Sequence, residues 1–233
     1  MMEWSFEGQM EVAQAIANQW GERLTLHHFD SETTLHLRES IDKLQKVREN
    51  AVNPNTPTEV NSTPSGFRSY PVDQVLNIIR SIAEHRWPMT VEEAFSLRDQ
   101  FGWTPAPDDG RFFVTPVSNG EEDGTISIDR ENRIYISGID FNVTSQLPKD
   151  ADPNIQSEMR SVYSRYVEAL TVRYGAGEAR PSSDVDGVLW HLPSRVSVDI
   201  GITHRSISVV IESPAMTALT ESEEKYFAEG GEF

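Results

Sequence analysis

Six histidines, 37 acidic side chains and no cysteine set the chemistry open to this sequence of 233 residues. The missing thiol removes disulfides, thiolate zinc sites and a cysteine nucleophile together. His27, His28, Asp30 and His36 are metal-ligand types close in sequence. Adjacent side chains on a strand point to opposite faces, so only one of the neighbouring imidazoles can join His36 at an ion, and no metal site is expected. His85 falls at a helix end, where an imidazole suits the dipole. His191 and Asp199 with Ser197, Ser206 or Ser208 have the residue types of a nucleophilic triad, yet no G-x-S-x-G elbow activates a serine. Ser197 and Asp199 alternate with Val196 and Val198, which reads as the solvated face of a strand. Asp184 to Gly187 opens like a calcium loop, but the twelfth residue is Arg195 where a bidentate glutamate is needed. No phosphate-binding glycine motif is present. The expectation is a protein without catalytic residues, metal or cofactor.

Two acidic pairings remain, Asp108-Asp109 and Glu121-Glu122-Asp123. Each is adjacent in a loop, not opposed across a cleft as acid/base work requires. They bracket the strand that begins Phe112-Phe113, and both loops are expected at one edge of a sheet. Carboxylates beside aromatic residues suit recognition of a basic protein surface. The expected contact set is Asp108, Asp109, Phe113, Glu121, Glu122 and Asp123.

The elements that must carry these loops are legible from periodicity. Pro71 opens a helix whose Val72, Val75, Ile79 and Ile82 share a face, and Trp87-Pro88 ends it. Thr90 and Glu93 form a capping box for a second helix that stops at Gly102. Strands are expected at 112–117, 126–128 and 134–143, with Ile134 and Ile136 on one face of the last. Its apolar phase switches from even to odd positions after Ser137-Gly138, as a one-residue bulge would require. Asp152-Pro153 caps a long helix with Ile155, Met159, Val162, Tyr166 and Leu170 inward, ending at Gly175. Three further strands follow, at 188–192, 196–202 and 207–211. The order ααβββαβββ implies an α+β domain, a mainly antiparallel sheet with helices packed on one face.

Before this domain, Phe6, Met10, Ala13, Ile16, Ala17 and Trp20 recur at helical spacing. Residues 1–50 therefore read as a helical N-terminal extension, 51–66 as a Pro-, Asn- and Thr-rich linker, 67–217 as the α+β domain and 218–233 as a frayed acidic tail.

Lys and Arg number 20 against the 37 acidic residues, a formal net charge of −17. Nucleic acid or an anionic membrane would need the opposite balance, so neither is an expected partner. Apolar runs fall far short of the roughly 20 residues that cross a bilayer. The segment Met1 to Glu7 has neither a basic nor an apolar signal region, and a cytoplasmic protein is expected.

The pattern RWPMTVEEAFSLRDQFGW at 86–103, followed by a hairpin, then ALTVRYG at 169–175 and VLWHLP at 188–193, resembles a family of small actinobacterial α+β proteins. That family is similar to the immunity factor of the NAD-consuming tuberculosis necrotizing toxin, and its members occur beside exported polymorphic or type VII-secreted toxins. The resemblance spans about residues 67–215. Trp87, Pro88, Thr90, Glu93, Phe101, Gly102 and Trp103 carry it as packing and capping residues, so it implies a fold and no catalytic group. It implies an immunity protein, monomeric in a 1:1 complex, that occludes the active site of a cognate toxin, for instance an NAD glycohydrolase. The alternative is a secretion chaperone or acidic binding module for a type VII export substrate.

Overall fold

In the computed structural model the chain divides after Thr56, and the structure describes residues 60–230 apart from 65, 183 and 229. The expected extension 1–50 and most of the linker 51–66 lie outside the described residues.

The described chain begins with a small antiparallel pair, β1 (Asn61–Ser62) and β2 (Arg68–Ser69). Helices α1 (Val72–Ala83) and α2 (Val91–Gln100) follow. The capping box of α2 is complete, with Glu93 N donating to Thr90 Oγ1 over 3.2 Å and Thr90 N donating to Glu93 Oε2 over 2.8 Å. Strands β3 (Thr104–Pro105), β4 (Phe112–Val114), β5 (Gly124–Ile128) and β6 (Ile136–Asn142) form one antiparallel meander. Helix α3 (Pro153–Tyr174) then crosses to a second meander, β7 (Glu178–Pro181), β8 (Asp186–His191), β9 (Ser197–Ile202) and β10 (Ile207–Glu212). The two meanders meet by their last strands, β6 against β10, and make a single eight-stranded sheet in the order β3-β4-β5-β6-β10-β9-β8-β7.

Every pairing in that sheet is antiparallel, and the fold is α+β. One face is covered. Helices α1 and α3 pack on each other, both reach β9, and α2 packs on β5. Between helices and sheet lie Ile79, Ile82, Phe113, Ile126, Phe141, Met159, Tyr166, Leu170, Ile200 and Val209, all fully buried. The inward residues of α3 are those its spacing predicts, since Met159, Val162, Tyr166 and Leu170 stack on one side at helical intervals. Asp152 caps this helix by accepting from Asn154 N over 2.7 Å, with Pro153 at the first helical position.

The phase switch in β6 is a bulge. Ser127 of β5 faces Gly138 and Ile128 faces Ile136, so Ser137 is the extra residue. Gly138 is required there because a Cβ would come within 2.7 Å of the Ile211 carbonyl oxygen.

Four expectations need correction. Two short strands, β3 and β7, precede the two expected triplets. The strand expected at 112–117 ends at Val114, where the chain turns into the acidic loop. Ile134 is 63% exposed in the turn before β6 and does not pair with Ile136 on a buried face. The residues expected as a frayed tail begin within a helix, α4 (Pro214–Ala228). Ser213 starts it, its Oγ accepting from Met216 N over 3.1 Å, and Pro214 occupies the first helical position. Among the described residues no helix is long and apolar enough to cross a membrane.

Candidate functional site

The two acidic loops leave opposite ends of β4. The loop of Asp108 and Asp109 joins β3 to β4, and the loop of Glu121, Glu122 and Asp123 joins β4 to β5. With β4 three residues long, the groups are separated by about 10 Å along the strand and do not converge on one point. They do share one edge of the sheet.

Phe113, expected to touch a partner, is 0% exposed. Its ring stacks on Trp103 with centroids 4.6 Å apart and planes 7° from parallel, and it fills the space above Gly124. Strand alternation sends Phe113 into the core and leaves Phe112 on the outer face. Phe113 is therefore part of the scaffold and not of a contact surface.

Asp109 is committed to its own loop. Its carboxylate accepts from Nε and Nη2 of the Arg111 guanidinium and also from Arg111 N over 3.0 Å. These hydrogen bonds hold its pKa down at about 2. Beneath the loop, buried Arg98 donates to the Gly110 carbonyl. Asp108 is exposed beside this clasp.

The second loop is organised differently. Asp123 is half-buried and accepts from Thr115 N and Thr115 Oγ1, each over 2.6 Å. Burial pushes its pKa up to about 6, against the opposing pull of those hydrogen bonds and of Arg68. The loop is closed by Ser118 Oγ, which donates to the Glu121 carbonyl, and by Arg68, which donates to Asn119 Oδ1 over 2.8 Å. Glu121 and Glu122 point outward from this rigid base and are exposed. They stand at the mouth of a cleft of about 340 Å³, whose far wall includes Asn142, Gln146, Leu147 and Arg205. Leu147 and Arg205 are joined by a hydrogen bond from Leu147 N to Arg205 O, 2.7 Å, and by one from Arg205 Nε to Leu147 O, 2.9 Å. That wall comes from segments remote in sequence, and no local motif marks it.

The groups considered for nucleophilic chemistry also meet in space without forming a catalytic arrangement. His191 and Ser197 are cross-strand partners, and with Asp199 and Glu212 they border a hollow of about 150 Å³ beside α4. Ser197 is buried and its hydroxyl donates to Glu212 Oε2 over 3.2 Å, which leaves it without a histidine base. Ser206 lies in the turn before β10, where its N–H donates to Thr203 Oγ1 over 3.0 Å. His85 places Nδ1 3.0 Å from the Arg86 carbonyl oxygen just beyond α1. Among the described residues no group of His, Cys, Asp and Glu is arranged to hold a metal ion. The cluster of His27, His28 and His36 lies outside them.

An eight-stranded antiparallel sheet with one helix-covered face defines an α+β protein. Residues 73–213 match DUF6301, a family of unknown function, and the chain belongs to that family. The match runs from the start of α1 to the end of β10. No curated protein and no solved structure matches the chain.

Proposed function

We propose that this chain is a non-catalytic binding protein for a basic protein partner, and specifically a cytoplasmic immunity protein that occludes the active site of a cognate exported toxin in a 1:1 complex. The observation that carries this reading is the Glu121-Glu122 rim. Two exposed carboxylates without an ion pair among the described residues stand on a loop braced by Asp123, Ser118 and Arg68, at the mouth of the cleft. A rigid acidic rim on a chain of net charge −17 speeds encounter with a basic surface and holds its geometry on docking. The Ser197 hydroxyl, committed to Glu212, supports binding over turnover.

The test uses the tagged full chain as bait in lysate of the source organism, with bound protein identified by mass spectrometry and expressed in cells lacking the bait. The expected result is one basic partner that arrests growth and is neutralised by co-expression. A harmless helical export protein would overturn the immunity reading in favour of a chaperone. Failure to retain any partner would overturn the binding role itself.

A further inference from the structure

The sheet has a second face, turned away from α1, α2 and α3. Among the described residues no helix covers it beyond the first turns of α4. One row of cross-strand neighbours crosses this face through Thr125, Asp140, Val210, Asp199 and Leu189. Val210 is 38% exposed at the centre, and Asp140 and Asp199 flank it from the strands on either side. Glu212 lies two residues along β10 on the same side.

The Asp140 carboxylate is half-buried and has no hydrogen bond or ion pair among the described residues, and burial alone raises its pKa. Asp199 is raised first by burial and further by Glu212, with only Arg180 opposing. Carboxylates held partly out of water without a full complement of donors favour an arriving cation. A second copy of the chain would set these like charges against one another, which is unfavourable.

Each hollow is lined in part by residues of this face. Asn142, in the wall of the Glu121-Glu122 cleft, pairs with Ser208, two residues from Val210. Val210, Asp199 and Glu212 border the hollow beside α4. The five longest strands give a floor of about 400 Å², and the rims at its two ends extend it toward the ~800 Å² per partner of a standard interface.

We infer that the open face of the sheet is the floor of the docking surface, and that its occupant is a basic protein surface seating an apolar side chain on Val210 between cations that meet Asp140 and Asp199. The inference rests on the reading of a basic partner and extends the contact from the rim onto the sheet.

The test titrates the isotope-labelled full chain with a synthetic peptide of alternating Arg and Val, followed by NMR. Val210→Arg is compared with Val172→Arg, which makes the same charge change at an 85% exposed site on α3, on the covered side of the sheet. Thermal melts confirm that both variants fold. The expected result is backbone shifts centred on Asp140, Asp199 and Val210, with affinity lowered about tenfold by Val210→Arg and less than about twofold by Val172→Arg. Equal effects of the two variants, or shifts confined to 121–123, would overturn the sheet face and leave the basic-partner reading standing. Absence of binding to the unaltered chain would overturn both.

Discussion

Asp123 and Thr115 are joined twice, because the carboxylate accepts from the threonine N–H and from its hydroxyl, each over 2.6 Å. This pair of hydrogen bonds ties the two ends of the acidic loop together between β4 and β5. Burial nevertheless outweighs it and raises the Asp123 pKa from 3.8 to about 6. The folded state then binds a proton more tightly than the unfolded state, so stability falls as pH rises from about 4 to about 6. Asp140 and Asp199, also raised by burial, act in the same direction. Asp109, lowered to about 2 by Arg111, acts oppositely, its contribution being lost only as pH falls below about 4. Asp123→Asn keeps the acceptor for Thr115 N and removes the titration. Denaturant melts between pH 4 and 7 are expected to show a flatter profile for the variant, by about 1–2 kcal/mol over that window. An unchanged slope would show that Asp123 does not titrate there.

Gly124 and Phe113 form a second fixed relationship. A Cβ on residue 124 would lie 2.0 Å from Phe113 Cε2, and Trp103 stacked on the ring blocks its retreat. Gly124→Ala is expected to destabilise by about 3 kcal/mol, at the upper end of overpacking effects. Adding Phe113→Leu to Gly124→Ala should recover part of that loss. A double-mutant cycle by urea denaturation measures the coupling, and strict additivity would refute the clash.

Trp103 and Trp87 both belong to the motif of the helical pair, but they carry different loads. Trp103 is 3% exposed, touches Phe101, Phe113 and Phe141, and donates from Nε1 to Tyr70 Oη over 3.1 Å. Trp87 is only partly buried, and its Nε1 donates to Ile82 O over 3.3 Å. Trp103→Ala is expected to lower stability by about 3–5 kcal/mol and Trp87→Ala by about 1–2 kcal/mol. Chemical denaturation of the two variants decides the order.

The helices, the bulge and the longer strands were legible because each is written locally. Thr90 and Glu93 are three residues apart, Asp152 precedes Pro153, and the apolar phase of β6 changes beside Gly138. What depended on distant packing was not. Nothing in Phe112-Phe113 says which ring turns inward, since alternation gives two faces and only Trp103 and Gly124 select one. The strands β3 and β7 are too short and irregular to show periodicity, and they exist because a neighbouring strand offers an unpaired edge. Helix α4 was hidden because its later residues, TESEEKYFA, mix glutamates with polar and aromatic side chains and show no clear apolar stripe. At the acidic site, the loop sequence announced charge but not its disposition. Asp109 and Asp123 turn to Arg111 and Thr115, and only Asp108, Glu121 and Glu122 remain outward.

That division makes the charge-reversal experiment selective. Glu121→Lys with Glu122→Lys reverses two exposed, unpaired carboxylates on a braced loop. Asp109→Lys instead breaks an internal pair and leaves Arg111 without its partner, so its effect falls on the 106–111 loop. With a basic partner in hand, the glutamate pair is expected to lower the association rate about tenfold at low salt and to flatten its salt dependence, with dissociation changing less. Asp108→Lys, alone at the other end of β4 and with half the charge change, should change the rate by less than about twofold. Stopped-flow association at two ionic strengths separates the cases. Because Asp108→Lys makes half the charge change of the glutamate pair, slowing by about threefold or more would mean that the partner responds to net charge alone and that the rim at 121–122 has no special place in the encounter.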